Sequence, residues 1–207
     1  MKISNKVLII SAQVISLVFS PFYLPVLAFV ILFFFSYLSY MSWAFNLKII
    51  LMVYFFTVLV PWLGIFLYRK INGWTKHQLG RRERRIIPYI ISILSYSALL
   101  ILMNNLRMPR FTMSVIIAAL SVQVICAICN SWIKVSTHAA ASGGVIGCLM
   151  AFSGIFYFDP TIALCVCFLL NGLVCTARLI LRQHSLNDLL LGTVVGILCG
   201  FFSIYLL

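Results

Sequence analysis

The chain has 207 residues, of which 64% are hydrophobic and only 9% are charged. Soluble globular domains average roughly 45–50% apolar and about 25% charged residues, so this composition excludes an ordinary soluble protein and indicates an integral membrane protein. At about 20 residues per span, the length allows six or seven transmembrane helices in one domain over residues 1–207, without a separate soluble domain.

The net charge of +12 does not indicate nucleic-acid binding. Four of the basic residues form one cluster: Arg81, Arg82, Arg84 and Arg85. The others are scattered near the ends of apolar runs, where Lys and Arg commonly contact anionic headgroups. We therefore expect membrane lipids, and no nucleic acid, as partners of these charges. The sequence does not indicate an oligomeric state.

Apolar runs separated by polar residues, Pro and Gly predict the path of the chain through the membrane. Residues 1–22 hold a short apolar segment, Val7–Phe19, which is broken at Ser20 and Pro21. It is too short to span comfortably, so we expect it to be interfacial or re-entrant. The predicted full spans are Leu24–Ala44, Leu47–Tyr68, Ile86–Met103, Phe111–Trp132, His138–Phe158, Thr161–Leu181 and Leu186–Leu207. The predicted fold class is all-α, a polytopic bundle of transmembrane helices with short loops.

Three polar stretches are each separated from the next by two predicted spans. The first ends at Arg85, the second covers residues 134–138, and the third covers residues 178–188. Because two crossings return the chain to the same side, all three stretches share one membrane face. Their basic and histidine side chains can form a single site there, which is stronger evidence than any one motif.

The third stretch carries the residue types that are most typical of catalysis. His184 and Asp188 are four residues apart, so on a helix they would lie on one face within reach of each other. A carboxylate that accepts one imidazole N–H fixes the tautomer and makes the other nitrogen a better base or nucleophile. Arg178 offers planar donors that suit phosphate oxygens. A capping box, with Ser185 as N-cap and Asp188 at N3, is the alternative, but it leaves Arg178 and His184 unexplained.

The second stretch places His138 at the start of a predicted span. A helix N-terminus directs its N–H groups and positive dipole at nearby groups, and so favours a phosphate there. Lys134 precedes this helix, and Ser136 and Thr137 either help to bind phosphate or only cap the helix. Small residues follow His138 and also form a stripe in the last span, so both helices are expected to pack closely against a neighbour. The stripe consists of Gly192, Gly196 and Gly200.

These patterns resemble the type 2 phosphatidic acid phosphatase (PAP2) superfamily, and the resemblance covers the chain from about Lys76 to the C-terminus. The strongest part of it is the third stretch. The spacing Arg178-x5-His184-x3-Asp188 matches the third signature of that superfamily.

The other two stretches resemble the first and second signatures less closely. Ser136-Thr137-His138 is similar to the second signature, usually Pro-Ser-Gly-His, but has Val135 and Thr137 in place of the proline and the glycine. The arginine cluster before Pro88 resembles the first signature, usually Lys-x6-Arg-Pro, but without a lysine at the expected spacing. These differences affect the choice of substrate more than the type of reaction.

The resemblance implies a metal-independent lipid phosphatase. It implies that His184 attacks phosphorus and forms a phosphohistidine, that Asp188 orients His184, and that His138 protonates the leaving alkoxide. The phosphoryl oxygens would be bound by basic and hydroxyl side chains of all three stretches: Arg178, Arg85, Arg82, Ser136, Thr137 and Lys134. No metal or other cofactor is expected, because a carboxylate metal cage is improbable in a chain with three acidic residues.

The resemblance also predicts a lipid phosphate or diphosphate as the substrate. The sequence does not rank phosphatidate, phosphatidylglycerol phosphate, polyprenyl diphosphate and phosphorylated lipid A. A phosphotransferase of the same superfamily and a transporter or binding protein for phosphate lipids are the alternatives. The His184–Asp188 pair argues against the transporter, because binding alone needs no oriented imidazole. A positive-inside count would place the basic face in the cytoplasm, whereas the resemblance favours the periplasmic or extracellular face of the cell membrane, which we expect.

Overall fold

A computed structural model of the protein describes residues 2–35, 42–73 and 86–206. These residues form helices and loops without a strand, which confirms the predicted all-α fold class. The helices are α1 (Lys2–Val18), α2 (Leu24–Phe35), α3 (Trp43–Tyr54), α4 (Val60–Ile71), α5 (Ile86–Asn105), α6 (Arg110–Trp132), α7 (Thr137–Phe156), α8 (Thr161–Ile180) and α9 (Leu186–Tyr205).

Six helices of the described part are long and apolar enough to cross a membrane, which agrees with the predicted six or seven spans. Five of them are α5 to α9, and their bounds lie within two residues of the predicted ones. The sixth is a continuous helix of 29 residues, in which a π-helical turn at Phe55–Leu59 joins α3 to α4. α1 and α2 are shorter apolar helices.

The predicted span Leu24–Ala44 is wrong at its C-terminal end. α3 already begins at Trp43, because the hydroxyl of Ser42 accepts a hydrogen bond from the N–H of Phe45 and caps the helix. Residues 36–41, between α2 and this cap, lie outside the described residues. The span that follows is correspondingly longer at both ends than predicted.

The turn between α1 and α2 lies inside the helix bundle. Pro21 is buried, and its carbonyl oxygen is 3.4 Å from the hydroxyl of Tyr96, which lies midway along α5. Irregular backbone at such a depth occurs only where protein or a water-filled cavity surrounds it. The break falls at Ser20 and Pro21, as predicted, and both residues line a cleft between the helices.

α7 and α9 pack backbone against backbone. Gly196 of α9 faces Ala140 and Gly144 of α7, and Gly200 faces Gly144 again one turn further along. A Cβ at Gly196 would overlap the carbonyl oxygen of Ala140, so the close approach requires glycine there. This contact confirms the packing predicted for the glycine stripe. Its partner is the helix whose small residues follow His138.

The N-terminal half of the bundle packs differently, through large apolar side chains. Buried residues of α2, α3, α5 and α6 form one cluster, which includes Phe29, Val53, Leu99, Met103 and Ile116. The bundle therefore combines a closely packed C-terminal half with an N-terminal half built on bulky side chains. The cleft that holds the predicted site residues lies between these halves.

Candidate active site

A cleft of about 370 Å³ receives side chains from both halves of the bundle. It is lined by residues of α4 to α8, of the α8–α9 loop and of the α1–α2 turn: Ser20, Pro21, Phe22, Ile65, Pro88, Tyr89, Ser92, Gln123, Thr137, His138, Arg178 and His184. The cleft thus brings together four predicted site residues from two polar stretches. A second cavity, of about 290 Å³, borders apolar side chains of α1 and α2 and contains none of them.

The end of α8 determines where Arg178 and His184 lie. The backbone of Arg182 is left-handed, with φ 51°. The N–H of Gln183 donates to the carbonyl of Arg178, and the N–H of Arg182 donates to the carbonyl three residues before it, which is the Schellman arrangement of helix ends. His184 therefore lies in the loop before α9. This agrees with the predicted span, which begins at Leu186, so the pair of His184 and Asp188 is not formed along one helix face.

His184 and Asp188 are nevertheless close to each other. The Nδ1 atom of His184 is 3.4 Å from Oδ2 of Asp188, and the two side chains are 1% and 17% exposed. The same Oδ2 accepts the N–H of Ser185 at 3.1 Å, and the Ser185 hydroxyl accepts the N–H of Asp188 at 3.3 Å. The capping box and the pair therefore coexist, and the box fixes the carboxylate beside the imidazole. Because an ionised carboxylate only accepts, Nδ1 carries the proton and the lone pair of the neutral ring is on Nε2.

His138 lies in the first turn of α7 and is partly buried. Its Nε2 atom is 3.2 Å from the carbonyl oxygen of Ser16 in α1. A carbonyl oxygen can only accept, so this contact puts the proton of His138 on Nε2. His138 and His184 therefore favour opposite tautomers, one with a donor at Nε2 and the other with a lone pair there.

Arg178 lies in the last turn of α8, where its side chain is partly buried. Its Nη1 atom donates to the hydroxyl of Ser16 at 2.9 Å. One residue of α1 thus contacts both Arg178 and His138, through two different atoms. The arrangement gathers two imidazoles and a guanidinium at one cleft, and these are groups that can bind a phosphoryl group and exchange protons with it.

Lys134 and Ser136 lie outside the lining of the cleft and join the two polar stretches instead. Lys134 Nζ donates to the carbonyl of Gln183 at 2.7 Å, and the N–H of Ser136 donates to the carbonyl of Asp188 at 3.2 Å. The hydroxyl of the buried Ser136 caps α7. These contacts hold the start of α7 against the start of α9, while Thr137, next to Ser136, does line the cleft.

The remaining predictions concern the arginine cluster and the absence of a metal. Arg82 and Arg85 lie within residues 74–85, outside the described residues, although Pro88 just beyond them lines the cleft. Among the residues that the structure describes, no three His, Cys, Asp or Glu side chains come together as a candidate metal site.

Several residues that border the site were not predicted from the sequence. Ser16 is a single serine in an apolar helix, 122 residues from His138 and 162 from Arg178, and no pattern points to it. Gln123 did leave a signal, because a buried amide within a membrane span is costly and so suggests a functional position. Tyr89 and Ser92 are also buried and line the cleft from α5.

Residues 122–207 match the family model described as PAP2 superfamily. The match covers less than half of the chain, but it includes all of α7, α8 and α9 with both histidines of the cleft. It confirms the predicted resemblance to the PAP2 superfamily over this part of the chain. No curated protein and no solved structure matches the chain. The family and the six span-like helices support a multi-pass membrane protein with a phosphatase-type function.

Proposed function

We propose that the protein hydrolyses a lipid phosphate or diphosphate through a phosphohistidine intermediate, without a metal. The observation that carries this proposal is the pair of histidines at one cleft, which favour opposite tautomers beside an arginine. A nucleophile needs a lone pair, which Nε2 of His184 supplies, and an acid needs a proton to give, which His138 supplies as the imidazolium.

His184 is the proposed nucleophile. Asp188 holds the proton on Nδ1, so that the lone pair of Nε2 can attack phosphorus. A bond forms between Nε2 and phosphorus while the bond from phosphorus to the oxygen of the lipid breaks. Asp188 balances the positive charge that develops on the imidazole, as a carboxylate next to a catalytic histidine does.

His138 is the proposed acid and base. His138 starts as the imidazolium and transfers its Nε2 proton from the Ser16 carbonyl to the leaving oxygen in the first step, which releases the dephosphorylated lipid and leaves a neutral imidazole. In the second step the neutral imidazole takes a proton from water, whose oxygen attacks phosphorus. The bond from phosphorus to His184 then breaks, so that inorganic phosphate leaves and both histidines return to their starting states.

Arg178 is the proposed main ligand of the phosphoryl oxygens among the described residues. Its guanidinium can bind two oxygens at once, and the N-terminus of α7 adds backbone N–H groups and a positive dipole near Thr137. Arg82 and Arg85 stay predicted phosphate ligands from the first polar stretch. Because Lys134 and Ser136 bond to backbone at the loops, their proposed contribution is to hold this phosphate site in shape.

The lining of the cleft supports a lipid as the substrate. Apolar and aromatic side chains, including Phe22, Ile65 and Tyr89, line the same cleft as the histidines, so the cleft can accept a hydrocarbon chain beside the phosphate. We place the enzyme in the cell membrane with the cleft on the periplasmic or extracellular face. Hydrolysis of an impermeant lipid phosphate by intact cells would support that orientation, and hydrolysis only after lysis would contradict it.

Release of inorganic phosphate from a panel of lipid phosphates, by purified protein in detergent with EDTA, tests the proposal. His184→Ala is expected to lower turnover by more than about 1,000-fold, and His138→Ala by about 100- to 10,000-fold. Thr176→Ala is the control, because this exposed hydroxyl on α8 bonds only within its own helix. Retained turnover in folded His184→Ala would overturn the mechanism. Release that requires an acceptor lipid would indicate a phosphotransferase instead.

A further inference from the structure

We infer that Ser16, in the last turn of α1, is a positioning residue that orders Arg178 and His138 for the phosphoryl group. This inference rests on the proposed function. The three polar stretches do not include α1, and the family match begins only at residue 122. The N-terminal helix therefore supplies a part of the site that the matched region lacks.

The hydroxyl of Ser16 orients the guanidinium of Arg178. The distance from Nη1 to Oγ is 2.9 Å, and Ser16 is 8% exposed, so the bond is shielded from solvent. A guanidinium carries five N–H donors in a fixed plane, and one bond at Nη1 fixes the orientation of that plane. An arginine that is already ordered loses less conformational freedom when phosphate binds, which strengthens binding.

The carbonyl of Ser16 acts on His138. The last carbonyl groups of a helix have no partner within the helix, and here the N–H of Ser20 donates to Leu17 rather than to Ser16. The Ser16 carbonyl instead accepts Nε2–H of His138 at 3.2 Å. The negative end of the α1 dipole lies at the same place and favours the cations Arg178 and protonated His138.

The packing of α1 presents Ser16 to the site. Ala12 and Ser16 lie one helical turn apart and are both buried, whereas Val14 and Leu17 are more than half exposed. The buried face packs against α8, which carries Arg178. Ser16 therefore connects α1, which lies outside the matched region, to α7 and α8 within it.

The test measures the Kd of inorganic phosphate by calorimetry, together with kcat and KM, for purified full-length protein. Ser16→Ala is expected to weaken phosphate binding by about tenfold and to raise KM more than it lowers kcat. Ser16→Thr keeps a hydroxyl and is expected to bind phosphate like wild type. Ser16→Val has the shape of threonine without the hydroxyl and is expected to bind phosphate like Ser16→Ala. Ser11→Ala is the control, because this exposed serine of α1 bonds to Leu8 of its own helix.

A double substitution separates positioning from general damage. If Ser16 acts through Arg178, Ser16→Ala is expected to add nothing to the loss of phosphate affinity caused by Arg178→Ala. An additive loss, equal binding by Ser16→Thr and Ser16→Val, or absence of phosphate binding by wild type would overturn the inference. If wild type binds phosphate but hydrolyses no lipid phosphate, the proposed function is refuted. The effect of Ser16→Ala on the Kd of inorganic phosphate then still decides whether Ser16 positions Arg178.

Discussion

Asp188→Asn tests whether the charge of the carboxylate drives the attack by His184. The atoms Oδ2 of Asp188 and Nδ1 of His184 are 3.4 Å apart. Two unit charges at about that distance attract by about 5 kcal/mol at an effective dielectric constant of about 20. With about half of the charge present on the imidazole in the transition state, the carboxylate lowers the barrier by about 2.5 kcal/mol, or about 70-fold in rate. Since Asn also loosens control of the tautomer, we expect kcat to fall by about 100-fold or more.

Ser185→Ala is the matched control, because it weakens the capping box but keeps the carboxylate. It removes the hydroxyl that accepts the N–H of Asp188 at 3.3 Å, which is expected to lower the free energy of unfolding by about 1 kcal/mol. We expect its kcat to stay within about threefold of wild type. The assay is phosphate release at saturating lipid phosphate, with thermal unfolding followed in the same detergent. If Asp188→Asn keeps its kcat while folded Ser185→Ala loses it, the geometry of the cap controls His184 and the electrostatic reasoning is refuted.

Three further predictions concern stability, measured by thermal unfolding in detergent. Gly196→Ala is expected to lower the free energy of unfolding by about 1–3 kcal/mol, because the new Cβ meets the backbone of α7. Gly172→Ala has open space around it and is expected to leave the free energy of unfolding unchanged, and equal effects of the two substitutions would contradict this packing. Arg182→Gly relieves a left-handed residue outside the cleft and is expected to stabilise by about 1 kcal/mol at unchanged kcat; a lower Tm would refute the assigned strain. The hydroxyl and N–H of Thr161 hold the pKa of Asp159 below its usual range, so this carboxylate stabilises the fold above pH about 4 and that contribution is lost as the pH falls further. The Tm of wild type is therefore expected to fall more steeply under acid than that of Asp159→Asn, and parallel curves would refute the linkage.

The spans from α5 onward could be predicted because local signals mark their ends. Pro109, the segment around Ser136, Asp159 with Pro160, and Ser185 each interrupt an apolar run where one helix stops or the next begins. Between Val26 and Ala44 only serine and tyrosine residues interrupt the apolar run, so hydropathy alone merged α2 with the start of α3. The cap at Ser42 depends on a specific hydrogen bond that a hydropathy profile does not contain.

The site was predictable where its residues follow one another in the sequence, and not where distant helices meet. The spacing of Arg178, His184 and Asp188 led to the right pair, but the loop around His184 depends on a left-handed Arg182 at a position where glycine is the usual signal. Ser16 reaches the cleft only because α1 packs on α8. A contact of this kind arises from tertiary packing, and neither periodicity nor composition encodes it.

The glycine contact between α7 and α9 has a consequence for how such a protein can change its substrate. Because main chain touches main chain at Gly196 and Gly200, the separation of His138 from His184 does not depend on bulky side chains that substitutions could alter. The walls contributed by Phe22, α4 and α5 lie outside that contact. Replacing wall residues should therefore redirect the protein to lipids of another shape without disturbing the two imidazoles. Exchange of the wall residues of α4 and α5 between related chains, with Ser16 of α1 kept, is thus a practical route to engineered selectivity.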